Sequence, residues 1–232
     1  MVRAVIFDLD DTLIPEMQYI ESGYQHIAKI ISDKFKISRD EVFKNLLALF
    51  KEDPKNVFDR FMSLHKINYT RNIISNLVEE YRNHFPKICF YDDVLCCLNY
   101  LKSQNIKVGI ITDGYANAQS QKIKAVKAHE YFDEIILTDE LGREYWKPHP
   151  RAFKEMCSKL KVNFNEMIYV GDNPEKDFYI SAIYPIITIR INRENAEYEL
   201  IHKDKKYYKG IEEHHRITNL EELINLIRYK NI

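Results

Sequence analysis

The chain has 232 residues, of which 45% are hydrophobic, which is enough apolar material for one sizeable core and a small additional domain. Charged residues make up 30% of the chain and the formal net charge is −1. This balance does not favour a nucleic-acid partner, although a local basic patch is compatible with it. The low content of glycine and proline, 6 and 7 residues, argues against a low-complexity chain.

The N-terminal segment and the cysteines indicate a cellular compartment. Residues MVRA lead directly into a strand pattern, without the charged and apolar regions of a signal peptide, and no apolar run approaches the roughly 18 residues that span a bilayer. We therefore expect a cytoplasmic protein with no membrane partner. The chain has no C-x-x-C pair, so we predict that its cysteines are reduced core residues. They are Cys89, Cys96, Cys97 and Cys157.

The first predicted element is a strand near residues 3–10, RAVIFDLD, and several β-branched runs follow it along the chain. Nearly continuous apolar runs are typical of parallel strands that helices cover on both faces. Helical patterns over residues 91–105 and 149–161 alternate with the strands, and this order predicts a doubly wound α/β domain. The further strands are predicted at 106–112, 134–138, 166–172 and 186–191.

Residues 15–85 interrupt this alternation, because they contain helical patterns and no convincing strand. About four helices inserted after the first strand are too many for a βα loop. We therefore predict a discontinuous core, residues 1–14 and 86–232, and an inserted helical domain, residues 15–85. The hinges are expected near residues 13–16 and 84–90.

The segment after the fifth predicted strand, residues 192–216, is polar and irregular. Its pattern supports only a loop with some extended pairing. We interpret His214 and His215 in this segment as solvated, since an adjacent pair lacks the spacing of metal ligands. An amphipathic helix, TNLEELINLIRYK, is predicted to close the chain, with Thr218 or Asn219 as its N-cap.

Polar residues follow the predicted strands at the points where the strands end. Because ligands of an open parallel sheet bind outside the carboxyl ends of its strands, we expect these residues to converge at one edge. Clustered carboxylates repel one another, and Mg²⁺, a hard cation that takes oxygen ligands, would supply the counter-charge. A site that also holds a lysine and a hydroxyl suits a phosphoryl group. The residues are Asp8, Asp10, Thr112, Asp113, Gly114, Lys147, Asp172 and Asp177.

Each charged residue in this set also has a purely structural interpretation. Asp8 or Asp10 could cap a helix, although no helical pattern follows at once. Lys147 alone would be a surface lysine, and Asp172 or Asp177 could cap the turn that follows it. Their convergence from distant parts of the sequence is hard to obtain from capping alone, and we therefore favour a functional site.

The motifs DLDDT, TDG, KPHP and GDNPEKD, in this order, resemble the four signature motifs of the haloacid dehalogenase superfamily, in its aspartyl-phosphate phosphatase branch. The resemblance covers the predicted core, roughly residues 1–13 and 86–191, and implies a Rossmann-like fold. The inserted helices resemble the small helical cap domain of that family. The stretch from TDG to KPHP is similar to phosphatases of sugar phosphates and nucleotides, so the resemblance implies a small phosphorylated metabolite as substrate.

The resemblance implies a role for each acidic motif residue. Asp8 would be the nucleophile that forms an aspartyl-phosphate. Asp10 would protonate the departing alcohol and later activate the attacking water. Mg²⁺ would bind to Asp8, to the backbone carbonyl of Asp10 and to Asp172, and Asp177 would be an outer-sphere partner of the metal.

The remaining motif residues are implied to bind and stabilise the phosphoryl group. Thr112 would donate a hydrogen bond to a phosphoryl oxygen, with help from backbone N–H groups near Asp113 and Gly114. Lys147 would neutralise the transferring group and tether the nucleophile. We assign Thr12 a structural role, in which it hydrogen-bonds the turn after the first strand.

We therefore expect a Mg²⁺-dependent phosphatase of a small phosphomonoester, a monomer or homodimer that acts on a sugar phosphate or nucleotide. A phosphomutase of the same fold would keep this core and phosphorylate a second hydroxyl of the substrate. A non-catalytic binding module would use the fold to hold a partner. A dehalogenase is disfavoured, because that branch of the family needs no metal and would not need Asp10 as an acid.

Overall fold

The structure is a computed structural model that describes residues 1–193 and 205–229. The chain divides into two compact units. The discontinuous unit consists of Met1–Glu16 and Cys89–Ile232, and the continuous unit is Met17–Ile88. Residues 194–204 of the predicted polar segment lie outside the described residues. Within the described part of the chain, no helix has both the length and the apolar character that a bilayer-spanning helix needs.

The strands belong to the discontinuous unit and form one parallel sheet. They are β1 (Ala4–Phe7), β2 (Lys107–Thr112), β3 (Glu134–Leu137), β4 (Met167–Gly171), β5 (Ile187–Ile191) and β6 (His215–Ile217). Their order in the sheet is β3-β2-β1-β4-β5-β6, with β1 in the middle. The five predicted strands and the doubly wound, Rossmann-like α/β class are confirmed.

Four helices follow β1 along the chain, as the helical pattern of residues 15–85 predicts. They are α1 (Glu16–Phe35), α2 (Arg39–Glu52), α3 (Val57–Leu64) and α4 (Arg71–Asn83). Aromatic side chains fill the core of the continuous unit, where the rings of Tyr24 and Tyr81 lie 5.6 Å apart. Gly23 is required in α1, because a Cβ atom there would overlap the ring of Tyr81.

The other α-helices belong to the discontinuous unit. They are α5 (Val94–Ser103), α6 (Ala116–Ala125), α7 (Arg151–Leu160) and α8 (Leu220–Arg228). The side chains of α7 pack on the sheet in a cluster that includes Ile6, Phe153, Met156 and Tyr169, each fully buried. A fully buried side chain of this size contributes roughly 1.5–3 kcal/mol, so this apolar layer stabilises the sheet that carries the polar strand ends.

The register of the sheet explains why distant motifs meet. Phe7 is paired with Ile110 of β2 on one side and with Val170 of β4 on the other. Asp8, the first residue after β1, therefore lies within one residue of the level of Thr112, which ends β2, and of Asp172, which follows β4. Since the strand order reverses direction around β1, this edge is the topological switch point at which such sheets bind ligands.

The end of the chain corrects one expectation and supports another. His215 lies in β6, so the interpretation of this residue as part of a solvated tail is wrong. His214 is exposed, as expected. Its Nδ1 atom accepts a hydrogen bond of 3.1 Å from Thr188 N. Pairing with β5 provides the strand character that the polar sequence lacks. The final helix begins at Leu220, and its N-cap is Asn219, whose side chain accepts a hydrogen bond from Glu222 N.

The four cysteines form no disulfide with one another, but only part of the prediction for them holds. Cys97 is buried and Cys157 is half-buried, whereas Cys89 and Cys96 are exposed. The prediction that these last two are core residues is wrong. Neighbouring residues of an α-helix point about 100° apart, so when α5 turns Cys97 towards the core it turns Cys96 towards solvent.

Candidate active site at the carboxyl edge of the sheet

Asp8 lies directly after β1 and is almost completely buried, with 1% of its surface exposed. Its Oδ1 atom accepts a hydrogen bond of 2.8 Å from Leu9 N and lies 2.9 Å from the Nζ atom of Lys147. Its Oδ2 atom is buried and has no hydrogen-bond partner, and the Nζ atom of Lys176 lies 3.4 Å away. One oxygen of the carboxylate is thus held in place and the other is left for a ligand.

The electrostatic surroundings keep the Asp8 carboxylate ionised. Burial alone would raise the pKa of Asp8, but the ammonium groups of Lys147 and Lys176 outweigh burial and lower the pKa to about 2. Burial would also lower the pKa of Lys147, but Asp177 and Asp8 raise that pKa above its ordinary value. At neutral pH the site therefore holds a charged carboxylate beside a charged lysine.

Asp177 anchors Lys147 through a buried hydrogen-bond network. The Nζ atom of Lys147 donates to Asp177 Oδ1 at 2.9 Å and to the Tyr169 hydroxyl at 2.8 Å, and that hydroxyl donates to the same Oδ1 at 3.0 Å. The other oxygen, Oδ2, accepts from Asn173 N at 2.9 Å. A Cβ atom at Gly171 would lie 2.5 Å from Asp177 Oδ2, so this close approach requires glycine. Asp177 is therefore more than a cap for the turn.

Asp172 completes a carboxylate group that could hold a cation. One ligand oxygen from each of Asp8, Asp172 and Asp177 lies within 4.8 Å of the others. Burial, together with the charges of Asp177 and Asp8, raises the pKa of Asp172 well above its ordinary value. A divalent cation would reverse this effect by supplying the missing positive charge. The orphaned Oδ2 of Asp8 and the all-oxygen donor set both fit Mg²⁺.

Thr112 is the last residue of β2, and Asp113 and Gly114 begin the loop that follows it. The Oδ1 atom of Asp113 accepts hydrogen bonds from the Thr138 hydroxyl at 2.7 Å and from Lys147 N at 3.1 Å, so this carboxylate joins the loops after β2 and β3. Gly114 has a φ of +124°, a conformation that favours glycine.

The charged side chains described so far form one group at the carboxyl edge of the sheet. We call Asp8, Asp113, Asp172, Asp177, Lys147 and Lys176 the acidic cluster.

Asp10 lies apart from these contacts and is bound by α6. The Nζ atom of Lys122 lies 2.7 Å from its Oδ1 and 2.8 Å from its Oδ2, and the Nε2 atom of Gln119 donates to Oδ2 at 2.9 Å. The same Nε2 atom lies 2.6 Å from the Thr112 hydroxyl. Burial and the charge of Asp10 raise the pKa of the nearby Glu16 to about 7.

Sequence reasoning missed several members of the site. Lys176 lies inside the quoted motif GDNPEKD and could have been found there. Gln119 and Lys122 lie in the stretch from TDG to KPHP, three residues apart and so on one helix face, but only the placement of α6 shows that this face meets Asp10. Tyr169 was part of an apolar strand, and no sequence signal distinguished its hydroxyl.

The turn after Asp10 differs in part from expectation. The backbone N of Thr12 donates to Leu9 O at 3.4 Å, but the Thr12 hydroxyl is buried without a hydrogen-bond partner. The expectation that Thr12 bonds the turn is therefore wrong for its side chain. Asp11 provides the side-chain bond instead, because its Oδ1 accepts from Glu16 N at 2.9 Å, at the start of α1.

Comparison with known proteins agrees with this fold and these motifs. Residues 5–183 match the family described as haloacid dehalogenase-like hydrolase. A glyceraldehyde 3-phosphate phosphatase of Methanocaldococcus jannaschii is 28% identical over 235 residues, which cover 98% of each chain. One from Methanopyrus kandleri is 29% identical and covers 83% of this chain and 85% of that protein. The pyrophosphatase PpaX of Bacillus cereus is 29% identical, with 74% of this chain and 75% of that protein covered.

Solved structures that are similar to this chain also belong to haloacid dehalogenase-like proteins. The crystal structure of a HAD phosphatase from Thermococcus onnurineus is 26% identical, with a TM-score of 0.63 and coverage of 97% of this chain and 98% of that chain. A 2-haloacid dehalogenase from Pseudomonas syringae has a TM-score of 0.64 at 20% identity and supports the fold alone.

Fold and site together define a hydrolase built on a doubly wound parallel sheet. The chain belongs to the haloacid dehalogenase-like hydrolase family, and the resemblance seen in its motifs is confirmed.

Proposed function

We propose that this hydrolase is a Mg²⁺-dependent phosphatase that cleaves a small phosphomonoester through an aspartyl-phosphate on Asp8. The observation that carries the proposal is the state of the Asp8 carboxylate. It is buried and ionised, Lys147 holds its Oδ1 at 2.9 Å, and its Oδ2 has no hydrogen-bond partner. A desolvated carboxylate that stays ionised is suited to attack phosphorus.

In the first step, an oxygen of Asp8 would form a bond to phosphorus while the bond from phosphorus to the ester oxygen breaks. Asp10 would give its proton to that departing oxygen, which leaves as an alcohol. In the second step, water would attack phosphorus, Asp10 would take the proton of this water, and the Asp8 carboxylate would be released with inorganic phosphate. The atoms balance as one ester and one water giving one alcohol and one phosphate.

The positive charges and donors of the site would stabilise the phosphoryl group during both steps. Lys147 stays charged and touches the nucleophile, and Lys176 lies close to its second oxygen. Thr112 and the backbone N–H groups near Asp113 and Gly114 would donate hydrogen bonds to phosphoryl oxygens. Such preorganised donors act strongly in a site from which water is excluded.

The carboxylates of Asp8 and Asp172 would hold Mg²⁺, together with the backbone carbonyl of Asp10. Asp177 would act as an outer-sphere partner, since both of its oxygens already accept hydrogen bonds from Lys147, Tyr169 and Asn173. When bound, the ion would neutralise charge on the phosphoryl oxygens and offset the repulsion among the carboxylates. The proposal assigns the continuous unit Met17–Ile88 to the cap domain and the discontinuous unit to the catalytic core.

The names of the relatives narrow the substrate class. Two kinds of relative align over nearly the whole chain: a glyceraldehyde 3-phosphate phosphatase at 28% identity and a pyrophosphatase at 24% identity. We therefore propose a small phosphorylated metabolite, with a three-carbon sugar phosphate as the first candidate. Inorganic pyrophosphate is the alternative to test, and neither nucleic acid nor membrane is required as a partner.

A substrate panel with Mg²⁺ tests the proposal. The purified chain is incubated with glyceraldehyde 3-phosphate, p-nitrophenyl phosphate and pyrophosphate, and released phosphate is measured. We expect turnover of the esters that EDTA abolishes and added Mg²⁺ restores. Asp8→Asn should lose at least about 10⁴-fold in kcat while keeping its circular dichroism spectrum. Asp92→Asn, at an exposed aspartate, is the matched control.

The panel also separates the competing functions. Turnover by Asp8→Asn at the parent's rate would overturn the covalent mechanism. A phosphomutase would return a rearranged ester instead of free phosphate from a sugar phosphate. No phosphate release from any member of the panel would favour a non-catalytic binding module.

A further inference from the structure

Two side chains of α6 bind the proposed acid Asp10, and the reaction scheme above does not use them. Lys122 contacts both carboxylate oxygens, at 2.7 and 2.8 Å, and Gln119 contacts Oδ2 at 2.9 Å. The Lys122 side chain is 5% exposed and the Asp10 side chain is 18% exposed. A lysine buried to this degree is costly unless it is paired, so the contact with Asp10 is central to its placement.

Gln119 also connects Asp10 to the phosphate-binding side of the site. Its Nε2 atom lies 2.6 Å from the Thr112 hydroxyl oxygen and 2.8 Å from the carbonyl oxygen of Asp113. The Thr112 hydroxyl itself donates to the Asp113 carbonyl oxygen at 3.4 Å, and it would turn from this long contact to donate to a phosphoryl oxygen. One amide group therefore fixes both the proposed proton donor and the proposed phosphate-binding hydroxyl relative to α6.

We propose that Lys122 and Gln119 are positioning residues that hold the Asp10 carboxyl for proton transfer to the departing oxygen. The proposal rests on the function proposed above. The Lys122 ammonium contacts both oxygens and Gln119 contacts one of them, so these side chains hold the carboxyl in one orientation. A proton donor that is already oriented lowers the barrier because it needs no rearrangement during the reaction.

The competing interpretation is purely structural. In that case the contacts of Lys122 only fasten α6 to the loop after β1, and a substitution would reduce the amount of folded enzyme without changing how the reaction proceeds. The two interpretations differ in one measurable property, the dependence of the rate on the leaving group. A poor leaving group needs a proton from Asp10, whereas an acidic phenol departs with little help.

The experiment compares p-nitrophenyl phosphate with phenyl phosphate, two esters of similar shape whose leaving phenols differ in acidity. The variants are Lys122→Met and Gln119→Leu, and Lys124→Met is the control, since Lys124 is an exposed lysine of the same helix. The value measured is kcat/KM, which reports the step in which the alcohol or phenol leaves. The ratio of the two kcat/KM values does not depend on the folded fraction of the sample.

For Lys122→Met we expect kcat/KM to fall about 100-fold with phenyl phosphate and by less than about 10-fold with p-nitrophenyl phosphate, as loss of acid catalysis requires. Gln119→Leu should show the same trend with a smaller difference, and Lys124→Met should match the parent with both esters. Equal losses with the two esters, including no loss, would overturn the positioning role while the parent's turnover still supports the proposed function. A parent that releases phosphate from neither aryl ester nor from glyceraldehyde 3-phosphate would overturn both.

Discussion

Two groups of buried charges in the discontinuous unit are built in different ways. Arg193 pairs with one carboxylate, Asp93, at 2.6 Å, and its guanidinium also donates to the backbone oxygen of Thr12 at 2.6 Å. Asp93 in turn accepts from Leu220 N at 2.8 Å, at the start of α8. We call this group the paired cluster. The acidic cluster, in contrast, sets four carboxylates against two ammonium groups.

The two clusters differ in their balance of positive and negative charge. In the paired cluster one positive charge meets one negative charge, and the contacts join α8 to the turn after β1 and to the residue before α5. In the acidic cluster burial raises the pKa of Asp172, and the neighbouring carboxylates of Asp177 and Asp8 raise it further. The fold maintains that imbalance where a cation can relieve it. The paired cluster is balanced within the protein, whereas the acidic cluster keeps an excess of carboxylates that a cation could relieve.

The largest effect on stability is expected from breaking the paired cluster. Arg193→Met would leave the Asp93 carboxylate without its cation, and removal of one partner of a largely buried pair costs about 2 to 4 kcal/mol when one side is partly exposed, as Asp93 is. The measurement is the free energy of unfolding in urea. Arg228→Met, at an exposed arginine of α8, is the control. A loss below about 0.5 kcal/mol would contradict the role assigned to the pair.

The next effect tests whether the acidic cluster is completed by a cation. Mg²⁺ at about 100 times its Kd should add roughly 2.7 kcal/mol to the free energy of unfolding, seen as a rise in Tm. Because the pKa of Asp172 is raised, protons compete with the ion, so the rise in Tm should shrink as the pH falls.

Asp172→Asn should remove most of the stabilisation by Mg²⁺, and Asp92→Asn should keep it. If the Tm of the parent does not respond to Mg²⁺ at any pH, the cluster is not a metal site and the comparison with the paired cluster loses its meaning.

The smallest effect is expected at Glu16, a buried carboxyl group near Asp10 that lies outside the acidic cluster. The pKa of Glu16 is raised from 4.5 to about 7, first by burial and then by Asp10, so the folded chain binds this proton more tightly than the unfolded chain. Its ionisation therefore reduces stability as the pH rises through the range from 4.5 to 7. In EDTA, Glu16→Gln should be more stable than the parent by about 1 to 2 kcal/mol at pH 8 and equal to it at pH 4.

Thermal unfolding of both proteins at the two pH values provides the measurement. Glu41→Gln, at an exposed glutamate of α2, serves as the control. A gain of Glu16→Gln that is the same at pH 4 and pH 8 would show that the raised pKa is not its cause.

The strands with long apolar runs could be predicted from the sequence, since a continuous run such as VIF is typical of a strand that is buried on both faces. β6 could not, because His215–Ile217 has no apolar run and becomes a strand through pairing with β5. The candidate site shows the same division. Asp8 and Asp172 follow from motifs at strand ends and Lys147 from the motif KPHP, whereas Lys122 depends on which face of α6 meets the sheet.

The amino-acid sequence by itself determined the family, the parallel sheet and the edge at which its polar residues gather, because apolar periodicity and short motifs are local properties of the chain. Only the tertiary structure decided which charges are balanced. The pairing of Arg193 with Asp93 and of Lys122 with Asp10 joins residues about 100 positions apart, and their energies depend on burial and on distances of a few ångströms. Neither quantity exists until the helices have packed on the sheet.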